Sequence, residues 1–482
     1  MVMASSLAPA QKPSPDAEAL FRWVEKELMA RRGECDLHRQ YYAGHHRTLL
    51  TDRLKAFLPR DLQGQFRDNY CGIVVNAPLN RLNVVGFTGD NAPLAEWAWQ
   101  LWQQQRMDAI QGQAHLDALV TGDGYILVDW DSETQSPRLT PQKTEMIWPH
   151  YNETTRRIDW ASKKWTQEGE RIGDPPVTRL NIYYPERVEK YLARNNVWLR
   201  FQEPGDAGWP LPWVDAQGQP LGVMLAHFRN DDQGEDFGYS ELCNVVPLQD
   251  LLNKTLIDLI QVMDTMAFPQ RWTMDITSGG GDANGKRAST FDIVPGTISQ
   301  FFSETEGGQV GEWPAAPVDG LLRSLEIMVQ HIASISSTPQ HLFQIGGGVP
   351  SGEALKTSES GLVQKVKRKQ VVFGNAWEDA MMMAAKLQSV FGEGFALPEG
   401  ARLETTWADP ETRNEEAFLL GLGVKRNQLG VPRRQIWREA GYSEEEIKQM
   451  EADFAAERTA EANIGAELLR QFDQGQQGKE EV

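Results

Sequence analysis

The segment VVPLQDLLNKTLIDLIQVMDTMAF, beginning at Val245, most constrains what this chain can fold into. Asp250, Asn253, Lys254, Asp258, Gln261, Asp264 and Thr265 fall on one helical face, and Leu251, Leu252, Leu256, Ile257, Leu259, Ile260 and Met263 cover the remainder. A helix on the outside of a monomer needs a narrower apolar stripe than that. The pattern predicts a helix over Pro247–Met266 of roughly 30 Å, ended at Phe268-Pro269.

A second helix is predicted downstream. Leu321, Leu325, Met328, Ile332 and Ile335 alternate spacings of four and three, a coiled-coil-like seam that Thr338-Pro339 closes. Between the two helices, strand-like pieces (RWTMDI, FDIVPGTISQFF) alternate with SGGGDANGKRAST and ETEGGQVGEWPAAP, so a small loop-rich module is inserted there. After the second helix comes FQIGGGVPSGEALK. Gly346, Gly347 and Gly348 make either a mobile loop or a plain turn, and Ser351 and Glu353 open a long helix with the stripe Leu355, Leu362, Val366, Phe373, Trp377, Ala380, Ala384 and Leu387. Continuous to Phe391 it would be about 60 Å long, with a kink expected at Gly361 or Gly374.

The N-terminal half reads as helices on a modest antiparallel sheet. A Pro/Ser-rich lead precedes helical spacing at Leu20, Trp23, Val24 and Leu28, and another helix falls on LAEWAWQLWQQQRMDAIQGQAHLDALVT. The period then changes to short Tyr-, Trp-, Val- and Ile-rich runs: VTGDGYILVDW, RIDWASKKW, NIYYPERVEKYL, VWLRF and GVMLAHF. Beyond Trp407 helices return: Asp409-Pro410 opens one, Pro432 another, and Ser443 with Glu446 forms a capping box for the last. The end, QFDQGQQGKEEV, has a disordered composition.

With 482 residues the chain exceeds one ordinary core, and its net charge of −19 does not suit a protein that grips nucleic acid by neutralising phosphates. Cys35, Cys71 and Cys243 are scattered, which predicts packed thiols in a reducing compartment rather than a zinc cluster or disulfides. No signal peptide or membrane-length apolar run is seen, predicting a soluble, cytosolic product with no membrane partner. GGDANGK, ending at Lys286, approaches a phosphate-binding loop, but Arg287 stands where a hydroxyl is needed and no helix follows. Asp129, Asp131 and Glu133 have the spacing that opens a calcium loop without its later glycine and glutamate, so a polar turn is expected. His45 and His46 lack partner ligands, and Met381, Met382 and Met383 read as adaptable packing. No nucleophile motif is found, so no catalytic, cofactor or metal site is expected. Lys365, Lys367, Arg368 and Lys369 form a basic cluster, either paired with acidic neighbours or near passing phosphates.

The order of these pieces, with NYCGIVVNAPLNRLNVVGF, VTGDGYILVDW, GEDFGYSELCNVVPLQDLLNKTLIDLI and HIASISSTPQHLFQIGGGVPSGEALKTSESGL, resembles the portal proteins of long-tailed bacteriophages over about Tyr41–Trp407. The resemblance implies an α+β, ring-forming subunit with wing, stem, clip and mainly helical crown. It implies a disordered lead over residues 1–15, a wing over 16–237, a first stem helix in 238–268 and a clip over 269–318. It further implies a second stem helix in 319–338, a tunnel loop in 339–351, a long kinked helix and wing return over 352–407, a crown over 408–475 and a disordered tail over 476–482. Phe343, Gln344, Ile345, Gly346, Gly347, Gly348 and Val349 would form the tunnel loop, and Asp250, Lys254, Asp258, Gln261 and Asp264 would face the channel. Such a protein is a homo-oligomeric ring, usually a dodecamer, at one capsid vertex. Its implied partners are capsid or scaffolding protein, terminase, a head-completion adaptor and double-stranded DNA that passes without sequence-specific binding. It would reside in the virion and, during assembly, in the host cytoplasm. Another virion ring or adaptor is the alternative, with an ATP-binding enzyme built on Lys286 further behind.

Overall fold

The computed structural model describes residues 12–47, 67–168, 175–194, 197–203, 206–267, 271–274, 276–277, 302–303, 309–312, 318–343, 352–411, 415–443 and 445–459. In chain order these form α1 (Pro15–Tyr42), α2 (Tyr70–Leu79), β1 (Val84–Gly89), α3 (Ala92–Gln104), α4 (Met107–Thr121), β2 (Asp123–Asp131) and β3 (Ser136–Gln142). Next come β4 (Ile147–Tyr151), β5 (Ile158–Gln167), β6 (Val177–Tyr183), β7 (Arg187–Arg194), β8 (Val197–Arg200), β9 (Leu211–Pro212) and β10 (Leu225–Arg229). α5 (Val246–Ala267) is followed by the short strands β11 (Arg271–Met274), β12 (Ile276–Thr277), β13 (Phe302–Ser303) and β14 (Gln309–Glu312). α6 (Asp319–Ser336), α7 (Gly352–Phe391), β15 (Leu403–Trp407), α8 (Glu415–Gln428), α9 (Arg433–Ala440) and α10 (445–459) complete the order. The chain is thus a mixture of helix and antiparallel sheet, divided into two compact units, one of residues 1–39, 75–241 and 346–482, the other of 40–74 and 242–345.

In the first unit the strands form two main antiparallel sheets, β10-β2-β3 and a six-stranded sheet of path β4-β5-β6-β7-β8 with β9 on β7. β2 is buried along most of its length because both faces are covered, whereas the larger sheet keeps the in-and-out alternation of a half-solvated one. Phe21, Val24 and Leu28, spaced three and four apart on α1, pack with Leu180, Ile182 and Tyr191 of that sheet. The tightest of these contacts sets the rings of Phe21 and Tyr191 edge to face at 4.6 Å.

α7 runs unbroken through Gly361 and Gly374. Leu362, Val366, Phe373, Trp377, Ala380, Ala384 and Leu387 of its expected stripe are wholly buried, and Met381 joins them. The core around it is aromatic: Trp377 lies 4.8 Å from both Trp102 and Phe228. Gly374 has a packing role, because a Cβ there would meet the indole nitrogen of Trp407 at 3.2 Å and so hold β15 away. β15 pairs with β1 from over 300 positions earlier in the chain, through Val84–Trp407 and Gly89–Leu403, a long-range pairing the local pattern could not reveal.

The second unit centres on α5 and α6, which pack against each other, and on α2 and its preceding residues. The inserted module contains antiparallel pairs β11–β14 and β12–β13. The pairing corrects one expectation, since Gln309–Glu312, read from its glycines as loop, is a strand opposite Arg271–Met274. Toward the C-terminus the capping box is present: Glu446 N–H donates to Ser443 Oγ at 3.2 Å and Ser443 N–H to Glu446 Oε2 at 2.8 Å.

Candidate functional site

α5 starts after Val245 and carries its polar residues in two groups with different fates. Asp250, Lys254, Asp258 and Gln261, at i, i+4, i+8 and i+11, all lie on the half-exposed face, and Lys254 Nζ pairs with Asp258 Oδ2 at 2.5 Å. Asp264 lies in the helix, but its side chain is outside the described residues. Asn253, read from the sequence as part of the same polar face, is instead buried at 3 % exposure. It works with Gln249, one turn earlier and fully buried.

These two amides tie the start of α2 to α5. Gln249 Oε1 accepts from Tyr70 N–H at 3.0 Å, and its Nε2 donates to Asp68 O at 2.8 Å. Asn253 Oδ1 accepts from Asp68 N–H at 3.1 Å, and its Nδ2 faces His46 Nδ1 at 2.9 Å. His46 Nε2 lies 3.0 Å from Tyr41 O, so one neutral tautomer, donating from Nε2 and accepting at Nδ1, satisfies both contacts. Burial lowers the His46 pKa, in keeping with that neutral form. Asp250 is also engaged: it accepts from Tyr41 Oη at 2.5 Å, and burial, then this bond to a carboxylate, pushes the Tyr41 phenol up to about 12.

Apolar side chains remain uncovered on both helices. Leu251 and Met263 of α5 are 46 % and 57 % exposed, and Leu322, Ile327 and Ile335 of α6 are 44–53 % exposed. Ile335 belonged to the expected seam, whose other members Leu321, Leu325 and Met328 are half-buried and Ile332 fully so. Phe343, the first residue of the expected tunnel loop, sits in a 3-10 turn at 6 % exposure, 5.7 Å from the Tyr70 ring. Gln344, Ile345, Gly346, Gly347, Gly348 and Val349 lie outside the described residues, as does GGDANGK.

Of the two readings of the basic cluster on α7, the ion pairs within the first unit favour pairing with acidic neighbours. Lys365 and Lys369, one turn apart, both pair with Glu241, whose side chain is 8 % exposed, and Asn230 Nδ2 adds a bond at 3.2 Å. Burial opposes ionisation of Glu241, but Lys369 and Lys365 outweigh it and hold the carboxyl at about 2. Lys367 reaches Glu411 at 2.9 Å, and Arg368 is exposed. Two of the four cations are therefore spent on a buried structural pair rather than offered to phosphate.

Glu241 ends a segment that is pinned throughout. Asp123, fully buried, accepts from His227 Nε2 at 2.7 Å and Gly238 N–H at 2.9 Å, and also pairs with Arg31. Gly122 and Gly238 allow this, since a Cβ on Gly122 (φ 96°) would stand 2.3 Å from Gly238 O and one on Gly238 2.2 Å from Gly122 O. Ser240 Oγ donates to Val120 O at 2.6 Å. The sequence hid all of this, because the partners lie more than 90 positions apart.

The remaining sequence candidates have structural employment. Asp131 accepts from Glu133 N–H at 2.9 Å in the β2–β3 turn, and Arg138 lies 3.4 Å from Asp129 and 3.9 Å from Asp131. His45 Nδ1 is 3.4 Å from Arg67. Cys35 and Cys71 are buried, and burial raises the Cys71 thiol to about 12, which removes thiolate reactivity near neutral pH. Among the described residues no helix is long and apolar enough to cross a membrane.

Comparison with known proteins agrees over nearly the whole length. The portal protein of Mycobacterium phage D29 is 27% identical over 395 residues, 79% of this chain and 77% of that protein. The portal protein of Mycobacterium phage L5 is 26% identical over 431 residues, 85% of this chain and 82% of that one. Among solved structures, the neck of an empty GTA particle, computed with C6 symmetry, matches with a TM-score of 0.42 at 12% identity over 78% of this chain and 94% of that. The neck of the native GTA particle, computed with C12 symmetry, gives 0.40 at 12% identity over 80% and 94%. A family profile described as phage portal protein, SPP1 Gp6-like, matches residues 23–460. The chain belongs to that phage portal protein family, whose members are structural components of the virion and not enzymes.

Proposed function

We propose that about twelve copies of this chain close into a ring at one capsid vertex, with α5 and α6 as the stem around the channel through which DNA is packaged and ejected. The observation that carries this reading is the two-sided character of the stem helices. α5 presents Asp250, Lys254, Asp258 and Gln261 along one face, while Leu251 and Met263, with Leu322, Ile327 and Ile335 of α6, stay exposed in the single subunit. Covering each half-exposed side chain would gain roughly 1 kcal/mol, and a ring offers a neighbour on both flanks.

The polar face then borders the lumen. DNA is a polyanion, so a chain of net charge −19 makes a wall that repels phosphate and lets the polymer slide. Residues 16–237 with the α7 region form the wing, 269–318 the clip that docks terminase and then the head-completion adaptor, and 339–351 the tunnel loop. The helices after residue 408 form the crown, and the ring meets capsid or scaffolding protein at assembly in the host cytoplasm. Lys365 and Lys369 are left out of any DNA contact by their commitment to Glu241. Negative-stain electron microscopy of the purified protein, with particle mass determined alongside, tests the ring. Annular particles near twelve subunits in mass are expected, and a stable closed dimer would refute it.

A further inference from the structure

Strands β5, β6 and β7 bring Lys163, Asn181 and Lys190 into one cross-strand row, because Lys163 pairs with Asn181 and Asn181 with Lys190. Two residues along the same face stand Trp165 and Tyr183. With Trp213 and with Arg138 of β3 they line a cleft of about 440 Å³. That volume lies in the range of small-ligand and side-chain pockets, and no part of the channel reading uses it.

The charges in the cleft are unevenly matched. Lys190 bonds Glu203 at 2.7 Å and Asp206 at 2.9 Å, and Arg138 faces Asp129 at 3.4 Å. Lys163 has no ion-pair or hydrogen-bond partner among the described residues, and its Nζ stands 4.7 Å over the Trp165 ring. Burial lowers its pKa, while Asp129 opposes and Arg138 reinforces that shift. Of the three cations lining the cleft, Lys190 and Arg138 are each in contact with carboxylates and Lys163 alone is not. A partly desolvated cation without a counter-ion is costly, and an incoming carboxylate restores the balance.

We infer that this cleft receives an acidic side chain, a glutamate or aspartate presented by another polypeptide, with Lys163 as its ion-pair partner and Trp165, Tyr183 and Trp213 as apolar walls. The occupant must be slim, which excludes a DNA duplex and suits a single side chain on an extended segment. The Asn181 amide, which donates to Tyr183 Oη at 3.3 Å, keeps its oxygen for a backbone N–H of that segment.

The test uses the full-length protein and two acetylated, amidated tripeptides, Ala-Glu-Phe and Ala-Gln-Phe, titrated by tryptophan fluorescence at pH 7 and low salt. The glutamate peptide is expected to bind saturably and at least about tenfold more tightly than the glutamine peptide. Lys163→Met, which keeps the aliphatic stem and removes the charge, should abolish the difference, and Lys163→Arg should keep it. In the unaltered protein, acetylation of Lys163 by N-hydroxysuccinimidyl acetate, followed by mass spectrometry, should slow when the glutamate peptide is present. This second readout needs no variant to fold. Equal binding of both peptides, binding of neither, or binding of inorganic phosphate in place of the peptide would each overturn the assignment. None of these outcomes bears on ring formation.

Discussion

Replacing Glu241 by Gln removes the single negative charge that two lysines of α7 share. The side chain is 8 % exposed, those of Lys365 and Lys369 are 14 % and 9 % exposed, so the remaining cations would face each other in a site poor in water. The fall of the Glu241 carboxyl from 4.5 to about 2 corresponds to about 3 kcal/mol in favour of the ionised form. Removing one partner of a buried ion pair costs about 3–5 kcal/mol for the same reason. For a cooperative unit of about 150–250 residues this lowers the melting temperature by roughly 6–20 °C. Scanning calorimetry at pH 7 reads the change. A companion variant, Glu241→Leu with Lys365→Met and Lys369→Met, substitutes packed apolar groups for the whole cluster and should recover most of the loss. Because the folded-state carboxyl titrates lower than the unfolded one, its contribution is present above about pH 4.5 and fades as pH falls toward 2. A Glu241→Gln protein that melts within 1 °C of the original would refute the reasoning.

Other consequences follow from the same geometry. His115 is fully buried, accepts a hydrogen bond from Trp377 Nε1 at 2.9 Å and has its pKa lowered from 6.5 to about 3 by burial, so the unfolded chain binds its proton first. Stability should therefore fall as pH drops from 6.5 toward 3, and His115→Gln should flatten that slope by about one proton, up to about 1.4 kcal/mol per pH unit. Gly122→Ala or Gly238→Ala forces a Cβ to within 2.3 Å of a carbonyl oxygen and should cost more than about 3 kcal/mol in a denaturant titration. Asn253→Ala removes the acceptor of the Asp68 N–H and the donor to His46 Nδ1 and should cost about 1–3 kcal/mol, whereas Asp258→Ala removes a half-exposed pair worth about 0.5 kcal/mol or less. Leu251→Asp with Ile335→Asp should leave the melting temperature of the subunit nearly unchanged and abolish particles of ring mass in analytical ultracentrifugation.

What the sequence disclosed was whatever a local period can carry. α5, α6 and α7 announced themselves through apolar residues three and four apart, and β2, β5, β6, β7, β8 and β10 through aromatic and β-branched runs between turn residues. Six of the described strands, β1, β3, β4, β9, β14 and β15, escaped. β3 reads SPRLTPQ, with two prolines that depress strand propensity, β15 finds its partner β1 only across most of the chain, and β14 is glycine-bearing. The same limit governs the site. Helical spacing put Asn253 with Asp250 and Asp258, but burial separates them, because the chain at 68–70 crosses α5 on the Gln249 and Asn253 side. Two amides one turn apart within an apolar helix were the signal available for that crossing. The basic run on α7 reads from the sequence either as paired with acidic neighbours or as near phosphates, and its partner Glu241 could not be named because it lies over 100 positions away.

The most direct measurement is electron cryomicroscopy of the assembled particle at a resolution that places side chains on α5. A closed ring whose lumen is bordered by Asp250, Lys254, Asp258 and Gln261, with Leu251, Met263 and Ile335 covered by neighbouring subunits, is the expected result. A ring in which those apolar residues line the lumen, or one walled by a segment other than α5 and α6, would contradict it.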